Sequence, residues 1–168
     1  MERITSFADA EQKILTDIRQ CIASIRSIVR SHVESVSEGV SALLNLRQVA
    51  YEDLNQIQHE ELVLRAARSL RDSDFPEEDL EWYWNPRQTG NDTEPDLQAK
   101  NGAGVVLSAE ITASERPIGT IDVRMRDTLA KLSTMPGRKF YFVRTDAMQR
   151  RAKTKVSRAA HSIEVRKI

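Results

Sequence analysis

Two acidic residues in the middle of the chain have the sequence context of a divalent-cation site. Asp96 begins a short alternating stretch, and Glu110 lies within the β-branched run at residues 105–113. The turn-forming sequence at residues 101–104 separates the two stretches, so the pattern predicts a β-hairpin with one acid on each arm. Carboxylate oxygens are ligands for hard divalent cations, and two acids on paired strands can converge on one ion.

Each acid also has an ordinary structural explanation. Asp96 follows Pro95, which is typical of a turn-forming carboxylate. Glu110 is harder to explain in this way, because an unpaired acid on a strand that is buried on both faces costs free energy. An exposed position on an edge strand is the alternative for Glu110. The three histidines and Cys21 show no metal-ligand spacing, so the sequence gives no support to a zinc site.

The formal net charge of zero conceals two regions of opposite charge. Residues 60–96 hold eleven Asp or Glu against four Arg, whereas residues 113–168 hold fourteen Lys or Arg against five acids. An acidic middle followed by a basic C-terminal third suits a metal site that faces a polyanion. The alternative explanation is a solvated basic helix with no binding role.

Residues 5 to about 70 follow a helical pattern that begins at a candidate capping box on Ser6. Gly39 and a second candidate box, Ser35 with Glu38, leave two alternatives: one long helix, or a helical hairpin broken at 35–39. The apolar residues recur at steps of three or four, which predicts a homo-oligomer, a dimer or higher, through this region. Alternatively, they cover the C-terminal domain. The seam consists of Leu15, Ile18, Ile22, Ile25, Val29, Val33, Val36, Val40 and Leu43.

Beyond residue 60 the predicted order is helix, strand, hairpin, helix, strand, helix. The aromatic run at 81–85 and the segment 140–143 are predicted strands. The patterns at 120–135 and from 146 to about 166 predict helices, and the first of these has the length of a parallel crossover.

Two polar connectors, residues 76–79 and 86–93, are predicted loops. The chain is therefore expected to divide into a helical region, residues 1–57, and an α/β (α+β) domain, residues 58–168. That domain is expected to have a mixed central sheet flanked by helices.

These features resemble the PD-(D/E)XK nuclease superfamily, which has the restriction-endonuclease-like fold. The resemblance lies in the Pro-Asp dipeptide that ends at Asp96 and the Glu-Ile-Thr sequence that begins at Glu110, with thirteen residues between the two acids. An upstream acid, Glu61 or Glu60, stands in the preceding helix as the family pattern requires. The resemblance covers roughly residues 58–165, so the helical N-terminus lies outside it.

The resemblance implies a Mg²⁺-dependent DNA endonuclease of restriction or repair type, with Mn²⁺ as an alternative ion. It makes Glu61, Asp96 and Glu110 the expected metal ligands. The bound ion would polarise the scissile phosphate and help to generate a hydroxide for in-line attack. The DNA backbone is expected to lie along the cations of the last helix in a salt-dependent way. These cations are Arg150, Arg151, Lys153, Lys155 and Arg158.

Thr112 departs from the family pattern, because the family has a lysine there that assists the attacking water. One explanation is a displaced cation, either Lys100 on the partner strand or a side chain from the helical side. A second is slow, metal-only chemistry in which Thr112 acts through an ordered water. The third is a catalytically inactive nuclease-like module that binds DNA or a partner. The helical-side candidates are Arg116, Arg124, Arg126 and Lys131.

The sequence also predicts a cytoplasmic protein without membrane association. No apolar run approaches the roughly 20 residues that span a bilayer. The charged N-terminus lacks the apolar core of a signal peptide. The single cysteine, Cys21, allows no intrachain disulfide, as is usual in a reducing compartment.

Overall fold

The structure is a computed structural model that describes residues 1–76, 79–86 and 93–168. Within these ranges the fold is α+β, with four helices and one six-stranded mixed sheet. In chain order the elements are β1 (Glu2–Arg3), α1 (Phe7–Val29), α2 (Val36–Ser73), β2 (Glu81–Trp84), β3 (Leu97–Asn101), β4 (Gly104–Thr112), α3 (Thr120–Ser133), β5 (Arg138–Val143), α4 (Asp146–Arg158) and β6 (Glu164–Lys167).

The chain divides into two compact units, and their boundary falls inside α2. Residues Ser6–Glu61 form a helical unit, and Met1–Thr5 together with Leu62–Ile168 form the sheet-containing unit. The boundary predicted after residue 57 lies four residues before the observed one, which follows Glu61. The prediction also placed residues 1–5 in the helical region, whereas they belong to the sheet-containing unit. In the parts of the chain that the structure describes, no helix is long and apolar enough to cross a membrane.

The helical unit is a hairpin, so the alternative of one continuous helix is wrong. The break lies between α1 and α2, over residues 30–35, slightly earlier than the predicted 35–39. Ser35 Oγ accepts the backbone N–H of Glu38 at 3.2 Å, and a Glu38 carboxylate oxygen accepts the N–H of Ser35 at 3.2 Å. This reciprocal capping box starts α2, which leaves Gly39 inside the helix. At the start of α1, Ser6 Oγ accepts the N–H groups of Ala8 and Asp9.

The sheet has the strand order β1-β2-β3-β4-β5-β6. The first four strands are antiparallel to their neighbours, whereas β4, β5 and β6 run parallel. The predicted hairpin is confirmed as β3 and β4, and α3 is the predicted crossover from β4 to β5. A β-bulge between Ala99 and Lys100 shifts the hairpin register near its turn.

Helices α3 and α4 supply the apolar side chains that cover one face of the sheet. In α3 the predicted apolar side is confirmed, because Met125, Leu129 and Leu132 are buried there. Tyr141 and Val143 of β5 belong to the same core cluster. Burying these side chains is the main source of stability that holds α3 against β4 and β5.

Gly137 allows the chain to turn from α3 into β5. It has a φ of 77°, a backbone conformation that side chains with a Cβ rarely adopt. A Cβ at this position would lie 2.5 Å from the carbonyl oxygen of Val106 in β4. This close approach brings the start of β5 beside β4, and it therefore helps to set the register of their parallel pairing.

The prediction of a final helix as far as residue 166 is wrong. Helix α4 ends at Arg158, and β6 then pairs in parallel with β5. Ala160 has a φ of 52°, which ends the helix, and Ile163 and Val165 are buried in alternation. Three alternating residues after a long cationic helix are too short a pattern to distinguish from a helix end.

Other strand and loop predictions have separate outcomes. The aromatic run is confirmed as β2, in which Trp82 and Trp84 are buried. Strand β1, with only two residues, was not predicted. The predicted loops at 76–79 and 86–93 fall in part on residues 77–78 and 87–92, which lie outside the described residues.

Candidate functional site

Pairing of β3 with β4 brings the two predicted acids together. Leu97 pairs with Ala109, so the same register continued by one residue sets Asp96 opposite Glu110. Directly opposite residues in an antiparallel pair have Cβ atoms about 5 Å apart. The exposed fractions of the two residues are 1% for Asp96 and 4% for Glu110. Since β4 lies between β3 and β5, the alternative of Glu110 on an edge strand is wrong.

A backbone hydrogen bond orients Asp96. Its Oδ2 accepts the N–H of Ile111 at 2.7 Å, across the strand pair. This bond compensates part of the cost of burying a carboxylate. It also fixes the Asp96 carboxyl group next to the strand segment that carries Glu110.

Lys131 of α3 supplies the positive charge at the pair. Its ammonium nitrogen lies 2.5 Å from Glu110 Oε1 and donates to the backbone carbonyl of Glu94 at 3.2 Å. This close contact with the ammonium supplies the buried acid with a compensating charge.

The pKa of Glu110 is raised to about 8. Burial is the largest cause, because loss of water disfavours the charged form, and the neighbouring Asp96 carboxylate adds repulsion. The Lys131 ammonium acts in the opposite direction and lowers the pKa. At neutral pH Glu110 therefore favours its protonated form.

Tyr141 lies beside the pair on the next strand. It is the register partner of Glu110 in the parallel pairing of β4 with β5, and it is buried. Burial raises the pKa of the phenol, and the charges of Glu110 and Asp96 raise it further, whereas a hydrogen bond with Thr112 lowers it. Tyr141 was not among the site residues predicted from the sequence. The signal was the crossover itself, since a parallel β4–β5 pair must place some residue of 140–143 beside Glu110.

The other candidate cations lie elsewhere. The Lys100 ammonium stands 4.7 Å from the centre of the Tyr83 ring, and its backbone is roughly 13 Å along the strand from Asp96. Arg116 and Arg124 are exposed, and Arg126 pairs with exposed Asp127. Of the five displaced-cation candidates, Lys131 is the one that the structure brings to Glu110.

The upstream acids belong to the helical unit. Glu61 is exposed, whereas Glu60 is buried and accepts hydrogen bonds from Lys13 and Gln56, each at 3.1 Å. Among the residues that the structure describes, no group of three or more His, Cys, Asp or Glu side chains could hold a metal ion. The ligand set of Glu61, Asp96 and Glu110 therefore stays a prediction, and its two hairpin members are the part that the fold assembles.

The five cations predicted to contact DNA divide into two groups. Arg151 and Lys155 hold Asp122 of α3 at 2.7 and 3.1 Å, which lowers the pKa of that carboxyl. These two side chains tie α4 to α3. The others are exposed on the solvent side of α4, and they are Arg150, Lys153 and Arg158.

Comparison with protein-family models, with curated proteins and with solved structures returned no match. Functional inference therefore depends on the chemistry of Asp96, Glu110 and Lys131. Two adjacent buried carboxylates repel one another, and a divalent cation is the ligand that relieves this repulsion best. The burial of the two neighbouring carboxyl groups and the raised pKa of Glu110 are the features of this chain that fit such an ion.

Proposed function

We propose that this protein is a metal-dependent deoxyribonuclease that hydrolyses the phosphodiester bonds of DNA. Its active site would contain Asp96 and Glu110 as the metal ligands. The observation that supports this best is the pair of buried carboxylates, Asp96 directly before β3 and Glu110 in β4, with the Lys131 ammonium 2.5 Å from Glu110. A carboxylate pair with an adjacent ammonium provides both a metal site and a positive charge for a reacting phosphate. The mixed sheet with the α3 crossover also supports a restriction-endonuclease-like fold.

Asp96 and Glu110 would hold Mg²⁺, or Mn²⁺ as the alternative. Proteins commonly bind Mg²⁺ through one or two carboxylates, with water and substrate phosphate completing the coordination, so two acids are sufficient. When bound, the ion supplies Lewis-acid polarisation of the phosphate and lowers the pKa of a coordinated water. Loss of the proton from Glu110 makes its carboxylate available for the ion.

Lys131 takes the role that the family gives to the residue at position 112. Its ammonium is held between Glu110 and the carbonyl of Glu94, which fixes its position without a neighbouring lysine on β4. A fixed ammonium stabilises charge that develops on the phosphate during attack. Thr112 Oγ1 instead accepts the backbone N–H of Ser114 at 3.4 Å, which is a structural role at the end of β4.

DNA is the proposed partner, bound through the exposed cations of α4. Arg150, Lys153 and Arg158 can neutralise backbone phosphates, because Asp122 does not engage them. A cytoplasmic location is part of the same proposal and rests on the single cysteine.

Cleavage of supercoiled plasmid in millimolar Mg²⁺ or Mn²⁺ tests this function. The wild type should nick or linearise the plasmid, and chelation should abolish cleavage. Asp96→Asn and Glu110→Gln should each lower the rate by roughly 100-fold or more, the effect expected when a group essential to transition-state stabilisation is lost. Lys167→Met, which removes a cation paired with exposed Asp146, is the matched control and should retain activity. Absence of cleavage in both metals, or cleavage insensitive to both acid variants, would overturn the proposal.

The second candidate is a nuclease-like module that binds DNA without cutting it. The observation that favours it is the near-complete burial of both acids, together with threonine at position 112. This candidate predicts DNA binding that needs no metal and weakens with salt, measurable by fluorescence anisotropy. Calorimetric binding of Mg²⁺ that is lost in Glu110→Gln would count against it.

A further inference from the structure

We propose that the helical unit pairs with a second copy of this chain through one continuous apolar stripe. The stripe consists of the large apolar side chains that α1 and α2 leave exposed. Among the described residues these are Leu15, Ile22 and Val29 on α1, and Val36, Val40, Leu43, Leu44, Tyr51 and Leu54 on α2. This inference is independent of the catalytic proposal, because every member of the stripe lies in the unit Ser6–Glu61.

On α2 the stripe occupies a narrow arc of the helix surface. At 100° per residue, its six members fall within about 100° of one another around the helix axis. Their exposed fractions are high, 87% for Val36 and 71% for Tyr51. Arg47 is the charged position that falls within the same arc. An apolar arc of this width is the pattern of a helix that packs against another element.

On α1 the stripe lies beside the face that packs within the hairpin. Leu15, Ile22 and Val29 are seven residues apart, so they form a line along the helix. The buried residues of α1 are Ala10, Ile14 and Cys21, which lie roughly 100° around the axis from that line. The hairpin therefore uses one side of α1 for its own packing and leaves an adjacent apolar side exposed.

A cavity joins the two parts of the stripe near the turn of the hairpin. It has a volume of about 400 Å³ and is lined by Val29 of α1 and Leu43 of α2, with Ile28, Ala42 and Leu46 among the other apolar residues. Val29 and Leu43 are stripe members on different helices, so the two halves meet at this cavity. A hole between two helices that is lined by apolar groups is the geometry that accepts a side chain from a facing helix.

The area of the stripe matches what a stable homodimer requires. Nine large apolar side chains that are 39% to 87% exposed present an area on the order of 800 Å², which is the area that one partner contributes to a standard interface. The largest apolar patch on an ordinary monomer is smaller, about 300 to 600 Å².

Charge also favours a second copy over a polyanion or a strongly charged partner. The segments that carry the stripe, residues 15–29 and 36–54, contain four acids and three bases, namely Asp17, Glu38, Glu52, Asp53, Arg19, Arg26 and Arg47. Because their net charge is close to zero, two copies can approach without strong repulsion. A two-fold axis would set the same patch against itself, as the commonest homodimers do.

Sedimentation equilibrium of the full chain tests the interface without any nuclease readout. The wild type should have twice the mass of one chain. Leu43→Glu should weaken self-association by roughly tenfold or more, because a charge would be buried at the centre of the stripe. Tyr51→Glu should do the same, and it lies outside the cavity, so it keeps the test decisive if Leu43→Glu alters the hairpin turn.

Asn45→Glu is the matched control, because Asn45 is exposed on the opposite side of α2. It adds the same charge to the same helix, and the control variant should remain dimeric. Circular dichroism should show equal helix content in all four proteins. A wild type that sediments as a monomer overturns the proposal and leaves another protein as the occupant of the stripe. Equal association of Tyr51→Glu and the wild type also overturns it.

Discussion

At the scale of single residues, the environment of Glu110 decides its chemistry. A carboxyl group on an interior strand with an acidic neighbour and one ammonium is held close to its ionisation threshold. Burial and Asp96 favour the protonated form, whereas Lys131 favours the charged form. A change in Asp96 or Lys131 should therefore alter the charge state of Glu110.

Lys131→Met should raise the pKa of Glu110 above about 8, because it removes the group that lowers that pKa. Carbon-detected NMR titration of the Glu110 carboxyl measures this shift. The variant should also be less stable by about 1–3 kcal/mol, since a buried acid loses its charged partner and part of the cost is avoided by protonation. Lys167→Met is the control, and its titration curve for Glu110 should match the wild type. A pKa that stays the same or falls in Lys131→Met would contradict this account of the ion pair.

At the scale of elements, Asp74 links the end of α2 to β6, the strand that was not predicted from the sequence. Arg166 donates to the two oxygens of Asp74 at 2.5 and 2.7 Å, and Arg138 of β5 lies 3.5 Å away. Hydrogen bonding by Arg166 is the largest cause that lowers the pKa of Asp74, and burial opposes it. Two parallel hydrogen bonds from one guanidinium to one carboxylate require a specific geometry. They therefore help to hold the four-residue strand β6 at the edge of the sheet.

Asp74→Asn should destabilise the protein by about 1–3 kcal/mol near neutral pH, the value of charge-assisted hydrogen bonds. The pKa of Asp74 is lowered in the folded state, so its contribution is present above the unfolded pKa and is lost as pH falls through the folded pKa. Urea unfolding from pH 6 down to about pH 3 should therefore show the gap between wild type and variant narrowing in acid. Asp127→Asn, whose partner Arg126 is exposed, should cost about 0.5 kcal/mol or less at every pH. A gap for Asp74→Asn that widens in acid would contradict the assignment.

At the scale of the whole molecule, the charge asymmetry between the middle and the C-terminal third has two consequences. Some of the basic side chains are neutralised within the fold, because Asp122 of α3 forms ion pairs with Arg151 and Lys155 of α4. Others lie on the surface, where Arg150, Lys153 and Arg158 remain exposed. The exposed group is the part that can act on a polyanion at long range.

Lys153→Ala should reduce the dependence of DNA affinity on salt, with the slope of log K against log[salt] falling by about one. Lys155→Ala should change that slope less, because Asp122 already neutralises Lys155. Fluorescence anisotropy with one duplex at several salt concentrations measures both. Equal slopes for the two variants would contradict this prediction, because they would show that Lys155 contributes to DNA binding as much as Lys153 despite its ion pair with Asp122.

Local sequence was enough to determine the hairpin, the capping of α1 and α2, and the apolar side of α3. Period-two alternation around the turn predicted the two arms, but the register of the Asn101–Gly104 pair continued without a break would set Asp96 opposite Ala109. The β-bulge shifts the pairing by one residue and so sets Asp96 opposite Glu110. Helix caps and helical periodicity are likewise properties of a few neighbouring residues.

Only the tertiary structure decided which cation pairs with Glu110 and which residue of β5 lies beside it. Five basic residues were equal candidates in sequence, but the rotation of α3 and the close approach at Gly137 bring Lys131 to the acid and set Tyr141 beside it. The short strand β6 was missed for a related reason, since it forms only because β5 is there to pair with. Contacts between residues distant in sequence depend on how elements pack, and no local pattern encodes that packing. The hairpin was therefore determined locally, whereas its chemistry was decided by its neighbours.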